Sequence, residues 1–490
     1  MSTSESVLLC DLILHAIDVD THRPLQVRIF TIIQKAILSG TLISGSRLPS
    51  TRQLSAELGL SRMTLTLTYD KLSAEGYIVC LRGKGTFVAD IALSTSAEIR
   101  NTPAHTGSIL SSRANIMISG VSGVAQHAGA FVPGVVETSE FPFSVWKRMQ
   151  NRHMRRPAAH MTGYDSEGGY LPLREALAHY LQVSRSVTCQ PEQILITMGS
   201  NQSLSLCAHM LADPGDSALT EDPCNWSTAL LWQAAGLNVI PVPVDDQGID
   251  ISLFSFSSLS PSSSPKLLFT SPSHQYPMGV ALPLQRRHQL TELADKYGFW
   301  IIEDDYDSEF RYDRSPVSSL QGLDRYQRVI YCGTFSKVMF PGLRISYMVL
   351  PETLVDAFKK GLVQLYRPGQ FTVQAALADF INEGYFSTHI RRMRSVYAER
   401  QRTLRSALTQ AFGNTINLSG GNAGLHLTAL FDASIDTQKM MTDAAARGVA
   451  LRGLGHYYFH PRQSNGFVLG YGGIKSENIA SAVNIMAEYL

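Results

Sequence analysis

The 490 residues suggest about three domains of ordinary size, and 44% apolar with 17% charged residues can bury several cores, which excludes wholesale disorder. Forty-two basic against 41 acidic residues leave a formal net charge of +1, an average that argues against a nucleic-acid partner because duplex DNA attracts positive charge. The average hides a segregation: from Thr21 to Ala89 nine basic residues accompany three acidic ones, so this stretch carries +6 and the rest of the chain −5. The six cysteines include no CxxC pair, and the apolar stretch Val7 to Ile17 is broken by Asp11 and His15. With no basic leader before it, the chain is expected to be cytoplasmic, with reduced thiols and no metal site.

In chain order, Leu25, Ile29, Ile32, Ile33, Ala36 and Ile37 fall at helical spacing and Gly40 supplies a stop. Ser50 opens a second helix, with Gln53 placed to complete a capping box and Leu54 and Leu58 facing inward. Gly59 turns the chain, and Ser61 is expected to cap a third helix that buries Leu65, Tyr69 and Leu72. Tyr77-Ile78-Val79 and Thr86-Phe87-Val88, joined through Arg82-Gly83-Lys84-Gly85, read as a two-stranded wing. In a helix-turn-helix the start of the second helix meets base edges, which selects Ser61, Arg62 and Thr64; Arg62 suits a bidentate contact to guanine. Arg52, Arg82 and Lys84 suit the DNA backbone and minor groove.

From 91 to 127 the composition turns to Ser, Thr, Ala, Gly and Asn, as in a linker. Ser255 to Pro265 is a second low-complexity piece, read as a surface loop before the strand-like Lys266-Leu267-Leu268-Phe269. Three later segments carry chemistry. Ile194-Leu195-Ile196-Thr197 leads through Met198-Gly199 to Ser200 and Asn201 at a helix start, where backbone N–H groups can hold a phosphate. Phe299-Trp300-Ile301-Ile302 is a buried parallel strand ending in Glu303-Asp304-Asp305-Tyr306, at the strand end where open α/β sheets bind ligands. Val329 to Thr334 runs into Phe335-Ser336-Lys337, with Pro341-Gly342-Leu343-Arg344 beyond; a desolvated lysine forms Schiff bases with carbonyl cofactors. Each segment alone has an ordinary alternative: a phosphate-free turn, a solvated acidic loop, a surface lysine.

Leu48-Pro49-Ser50-Thr51-Arg52-Gln53-Leu54, Leu58-Gly59-Leu60-Ser61-Arg62-Met63-Thr64 and Gly83-Lys84-Gly85-Thr86-Phe87-Val88 resemble the winged helix-turn-helix of GntR regulators. The resemblance implies that Arg52, Arg62, Thr64 and the wing contact operator DNA. The three later segments resemble fold type I pyridoxal-phosphate (PLP) enzymes of the aminotransferase class, an α/β fold with a mixed, mostly parallel sheet. That likeness implies Lys337 as the Schiff-base lysine, Asp304 as partner of the ring nitrogen and Tyr306 of the 3-hydroxyl. It further implies Ser200, Asn201, Ser336 and Arg344 as a phosphate cup, and Tyr164 as a residue reaching the cofactor of a neighbouring subunit, hence a homodimer. Thr270 to Gly279, with His274, resembles the substrate-side loop.

Two departures stand out. In Glu221-Asp222-Pro223-Cys224-Asn225-Trp226 the aromatic expected to stack on the ring comes one place late, so either Trp226 takes that role or the ring is held less tightly. The carboxylate-binding arginine common near the end of aminotransferases is replaced at Val468, leaving Arg452, His456 and Arg462 as candidates, in that order. The combined layout, with a head at 21–90, a linker at 91–127 and a body at 128–490, resembles the MocR regulators. It implies a transcription regulator that senses an amino compound, or PLP itself, by aldimine chemistry at Lys337. The rival reading is an active aminotransferase with a vestigial head.

Overall fold

The computed structural model describes residues 3–17, 22–90, 110–119, 128–256, 264–312, 318–460 and 465–489. Two compact units divide the chain, Met1–Ser108 and Ile109–Leu490. Most of the expected linker, much of the Ser255 to Pro265 loop, and Arg462 lie outside the described residues. Among the described residues no helix is long and apolar enough to cross a membrane, and the six cysteines are unpaired.

The head holds α1 (Thr3–Ala16), α2 (Leu25–Leu38), α3 (Thr51–Leu58) and α4 (Arg62–Ala74). Its sheet is formed by β1 (Arg47–Leu48), β2 (Ile78–Leu81) and β3 (Gly85–Val88), with β3 in the centre and all pairs antiparallel. Helix α1 precedes the expected start of the head. Its Leu9, Cys10 and Ile13 are buried with Ile29, Phe30 and Ile33 of α2, while Asp11 and His15, which interrupt the apolar run in sequence, lie on its exposed side. Ser50 caps α3 by accepting from the Gln53 N–H at 3.1 Å. Ser61 occupies the N-cap position of α4, but contrary to expectation its hydroxyl makes no capping bond. Leu65, Tyr69 and Leu72 are buried as the helical spacing requires, and the Tyr69 hydroxyl donates to the Pro49 carbonyl at 2.9 Å, tying α4 to the turn before α3.

In the body, helix α5 (Ser112–Ser119), inside the expected linker, rests on a later helix named below. Helices α6 (Phe143–Met154) and α7 (Leu171–Arg185) precede an eight-stranded sheet. Its strands are β4 (Ile194–Thr197), β5 (Ser217–Asp222), β6 (Asn238–Asp245), β7 (Gly248–Ile249), β8 (Leu267–Thr270), β9 (Trp300–Asp305), β10 (Val329–Thr334) and β11 (Ser346–Val349). The order is β4-β11-β10-β9-β8-β5-β6-β7. Strands β10, β9, β8, β5 and β6 are parallel, whereas β11 and the edge strand β7 run antiparallel to their neighbours. Buried on both faces, β4, β8 and β10 are continuous apolar or small runs. Helices α8 (Ser200–Leu211) and α9 (Trp226–Ala234) follow β4 and β5, and α5 rests on α9. A smaller C-terminal lobe is built on β12 (Ile416–Ser419), β13 (His426–Phe431), β14 (Arg452–Gly453) and β15 (Gly466–Gly470), all antiparallel in the order β12-β13-β15-β14.

Candidate functional site

On the head, Arg52, Ser61, Arg62, Arg82 and Lys84 are exposed and Thr64 is half-buried. The αL turn at Gly59 (φ 65°) joins α3 to α4 and brings Arg62 to the first position of α4. At Gly85 (φ 116°) an added Cβ would lie 2.9 Å from the Arg47 guanidinium, so glycine lets the wing turn close against that side chain.

In the body the parallel strands end at one cavity of about 320 Å³, a size suited to a small cofactor. Side chains alternate along a strand, so Glu303 and Asp305 share one side of β9 and Asp304 and Tyr306 the other. Glu303 turns into the protein and accepts from the backbone N–H groups of Leu320 and Gln321 at 2.8 and 2.9 Å. Asp305 forms a buried ion pair with Arg185 at 2.7 Å and accepts from the Tyr331 hydroxyl at 2.6 Å. Asp304 and Tyr306 face the cavity, as do Lys337, Ser200, Asn201, Ser336, Arg344 and Trp226. The sequence thus places eight of its cofactor candidates on one wall system. Tyr164 is not among them: it is 76% exposed on the surface, 5.9 Å from the Arg367 guanidinium.

Electrostatics prepare this cavity for a cationic, anion-tailed guest. Burial, with the charges of Asp305, Asp307 and Glu221, pushes the Asp304 carboxyl up to about 7, partly offset by Lys337. Asp304 is half-buried in the cavity wall, so a protonated ring nitrogen beside it would relieve the cost of its charge. Burial lowers the Lys337 ammonium against the opposing pull of Asp307 and then Asp304, which favours the neutral amine a Schiff base needs. Lys337 Nζ donates to the Gly134 carbonyl at 2.9 Å. At Gly199 (φ 112°), the N-cap of α8, a Cβ would lie 2.6 Å from Arg344 Nη2, so the guanidinium and the α8 N-terminus share a cradle that only glycine leaves open. Arg344 is held there by donating to the Met198 carbonyl at 2.8 Å. A guanidinium, two hydroxyls, an amide side chain and a helix N-terminus make a phosphate-binding set, and the cavity therefore fits PLP.

Sequence reasoning gave no cofactor-binding role to several wall residues: Asp307, Tyr276, Asn225, Thr334, Gly134, Leu425 and His426. Asp307 sits one residue beyond the motif that singled out Tyr306. His426 comes from β13 of the small lobe and had no local signal. His274 is corrected: it is 3% exposed, lies behind the wall, and does not face the effector space. Its Nδ1 is 3.0 Å from Asp307 Oδ1 and 3.0 Å from the Tyr306 hydroxyl, which donates to the His274 carbonyl at 2.9 Å. Atoms of His274, Asp307 and His426 lie within 4.8 Å of one another; His426 Nε2 is 2.9 Å from the Pro277 carbonyl, whereas His274 Nε2 is buried without a hydrogen-bond partner among the described residues. Arg452 and His456 line a separate cavity of about 550 Å³, with Ser119 of α5 and with Trp226, which borders both spaces.

Fold and site define the class: a winged helix-turn-helix head on one chain with an aminotransferase-like body whose cavity fits PLP. The family model for bacterial regulatory proteins of the gntR family matches residues 25–88, and that for aminotransferase class I and II matches 137–466. The chain is 36% identical to the probable rhizopine catabolism regulatory protein MocR of Rhizobium meliloti, over 96% of this chain and 94% of that one. It is 32% identical to the pyridoxine biosynthesis transcriptional regulator PdxR of Corynebacterium glutamicum, over 90% of each. The body is similar to the kynurenine aminotransferase of Pyrococcus horikoshii, solved in complex with PMP, with TM-score 0.69, 26% identity, and 78% of this chain and 94% of that one covered. The chain belongs to the MocR-type transcription regulators, which are PLP-dependent and bind DNA.

Proposed function

We propose that this chain is a cytoplasmic homodimeric regulator that reads a primary amino compound in the Lys337 cavity and passes its occupancy to the DNA-binding heads. The observation that carries the reading is the convergence of Lys337, Asp304 and Tyr306 with the Ser200, Asn201, Ser336 and Arg344 cup in one cavity. PLP, when bound, supplies a carbonyl carbon that condenses with primary amines. Lys337 would hold that carbon, Asp304 the ring nitrogen, and Tyr306 the 3-hydroxyl. The Tyr306 phenol stays protonated, because burial and the Asp307 charge push it well above its ordinary value; its one proton, donated here to the His274 carbonyl, would have to turn to the ring oxygen when the cofactor is held. A Lys337 amine not engaged by the cofactor would be kept in the cavity by the hydrogen bond it donates to the Gly134 carbonyl. Arg452 and His456, beyond Trp226, are positioned to receive the far end of an amino compound that extends past the cofactor. Tyr164, exposed in the single chain, serves the partner subunit's cavity.

On the head, Arg62 reads a base, Ser61 and Thr64 reinforce it, and Arg52, Arg82 and Lys84 take phosphates. An active aminotransferase is the second reading, supported by the same complete residue set. One experiment separates them: PLP-loaded full-length protein is titrated with a panel of amino compounds while visible absorbance, operator mobility and keto-acid release are followed. A regulator gives an absorbance change with one class of amine, a parallel change in operator binding, and no sustained keto-acid release. Multiple fast turnovers without operator binding would overturn it. A response of operator binding to PLP alone would identify the cofactor itself as the effector.

A further inference from the structure

Helix α6 carries a feature that PLP binding does not use. Residues 143–156 hold Lys147, Arg148, Arg152, Arg155 and Arg156 and no acidic residue. The helix buries Trp146 and Met149, and Trp146 packs edge-on against Phe380 at 5.9 Å between ring centroids. Its opposite side lines an open groove with Ser144, Lys147, Arg148, Asn151, Arg152 and Arg155. These positions recur at three and four residues, so they form one stripe, about 16 Å long at 1.5 Å per residue.

Arg152 is matched by Asp379 and Glu383, each at 2.6 Å. Lys147, Arg148, Arg155 and Arg156 have no carboxylate partner among the described residues, and all four are exposed. Arg148 is nonetheless held in place, donating to the Tyr385 hydroxyl at 3.0 Å. Four exposed cations without carboxylate partners leave the stripe with a net positive charge that a polyanion would neutralise. Every lining side chain donates hydrogen bonds, and none is apolar. Protein interfaces centre on apolar or aromatic anchors, whereas Arg, Lys, Ser and Asn are the groups that protein–DNA interfaces spend on phosphates. A 16 Å stripe matches about five phosphates along one strand of duplex.

We propose that the outer stripe of α6 is a second DNA-contacting surface, which follows the backbone of duplex flanking the operator without reading its sequence. The proposal rests on the family's operator binding through the head and goes beyond it. Residues 91–109, which separate the two units' described parts, can span at most about 65 Å, a reach that takes in duplex flanking the operator.

The test uses full-length, PLP-loaded protein and an operator selected from a randomised pool. Affinity is measured from 50 to 300 mM salt (~6-fold, ample for a slope) on the operator alone and on the operator extended by about 30 base pairs on each side, beyond the reach set by the chain. The triple variant Lys147→Gln/Arg148→Gln/Arg155→Gln should lose about 2–3 from the slope of log K against log salt on the long duplex, at roughly 0.9 per lost phosphate contact. On the short duplex it should match the unaltered protein. If the triple variant is unstable, Lys147→Gln/Arg155→Gln, which leaves Arg148 on Tyr385, should lose about 2. Unchanged slopes on the long duplex would overturn the proposal. So would an equal loss on both duplexes, which locates the defect in the head. Dissociation of the variant in sedimentation would assign the stripe to a subunit interface. Lost transcription with unaltered DNA affinity would assign it to a protein partner.

Discussion

Asp304→Asn in PLP-free protein tests the electrostatic account of the cavity. Burial among carboxylates raises the Asp304 carboxyl to about 7 from its ordinary value of 3.8. A group with a raised folded value contributes stability that is fully present below its unfolded value and is lost as pH rises through the folded one. Between pH 5 and pH 7 the unfolded chain has released this proton while the folded chain still holds it, so stability falls with pH. Two pH units at about 1.4 kcal/mol each set an upper figure of about 3 kcal/mol, and water in the cavity reduces it to about 2 kcal/mol. Asparagine carries no such charge, so the variant should gain about 2 kcal/mol on the wild type between pH 5 and pH 8. Urea unfolding of both proteins across that range measures the difference. PLP should abolish the gain, because its ring cation compensates Asp304, and the variant should retain the cofactor poorly. A stability difference that does not vary with pH, or a variant less stable at pH 8 than at pH 5 relative to wild type, would refute the reasoning.

Lys337→Ala should leave the protein folded but unable to keep PLP through gel filtration, as read by visible absorbance; full retention would move the Schiff-base role elsewhere. Arg62→Ala should cost about 1–3 kcal/mol on the operator and relax discrimination at one base, whereas Lys84→Ala should weaken all sequences and lower the salt slope by about 0.9. Gel-shift titrations on operator and single-base variants distinguish the two patterns. Arg185→Met strands the buried Asp305 carboxylate and should destabilise the body by about 3–5 kcal/mol; adding Asp305→Asn should recover part of that loss in the same unfolding assay. Ile13→Ala opens a cavity beneath α1 and should destabilise the head by about 2–5 kcal/mol, seen as a lowered first transition in calorimetry.

Local chemistry made part of this molecule legible in its sequence. Asp304 and Tyr306 are two residues apart at the end of an apolar run, and once that run is a strand they must share a face. The glycine turns before α4 and α8 announced the two helix starts on which the candidate DNA-contacting and phosphate-binding residues stand. Non-local assembly hid the rest. His426 reaches the cavity from β13, more than a hundred residues beyond Tyr306, and no periodicity marks it. His274 lies in a motif of the right kind, but its ring turns inward because Asp307 and Tyr306 offer it partners there. Helix α1 was obscured for another reason: Asp11 and His15 broke an apolar run, yet Leu9 and Ile13, four apart, define the buried face that those two residues avoid.

A complete PLP-binding set serves a sensor as well as an enzyme, and what a sensor needs in addition is unequal affinity for two arrangements of the protein. A ligand with equal affinity for both shifts nothing, and a swing from 1:99 to 99:1 requires about 10⁴-fold discrimination. Lys337, Asp304 and Tyr306 all come from the large lobe, so contacts confined to them are the same however the lobes are arranged. Leu425 and His426 come from the small lobe, as do Arg452 and His456 across Trp226. An amino-compound effector would therefore have to draw its discrimination from the part that extends away from its amine and meets the small lobe. A minimal amine that ends at the cofactor has no such contacts, and it would bind without switching.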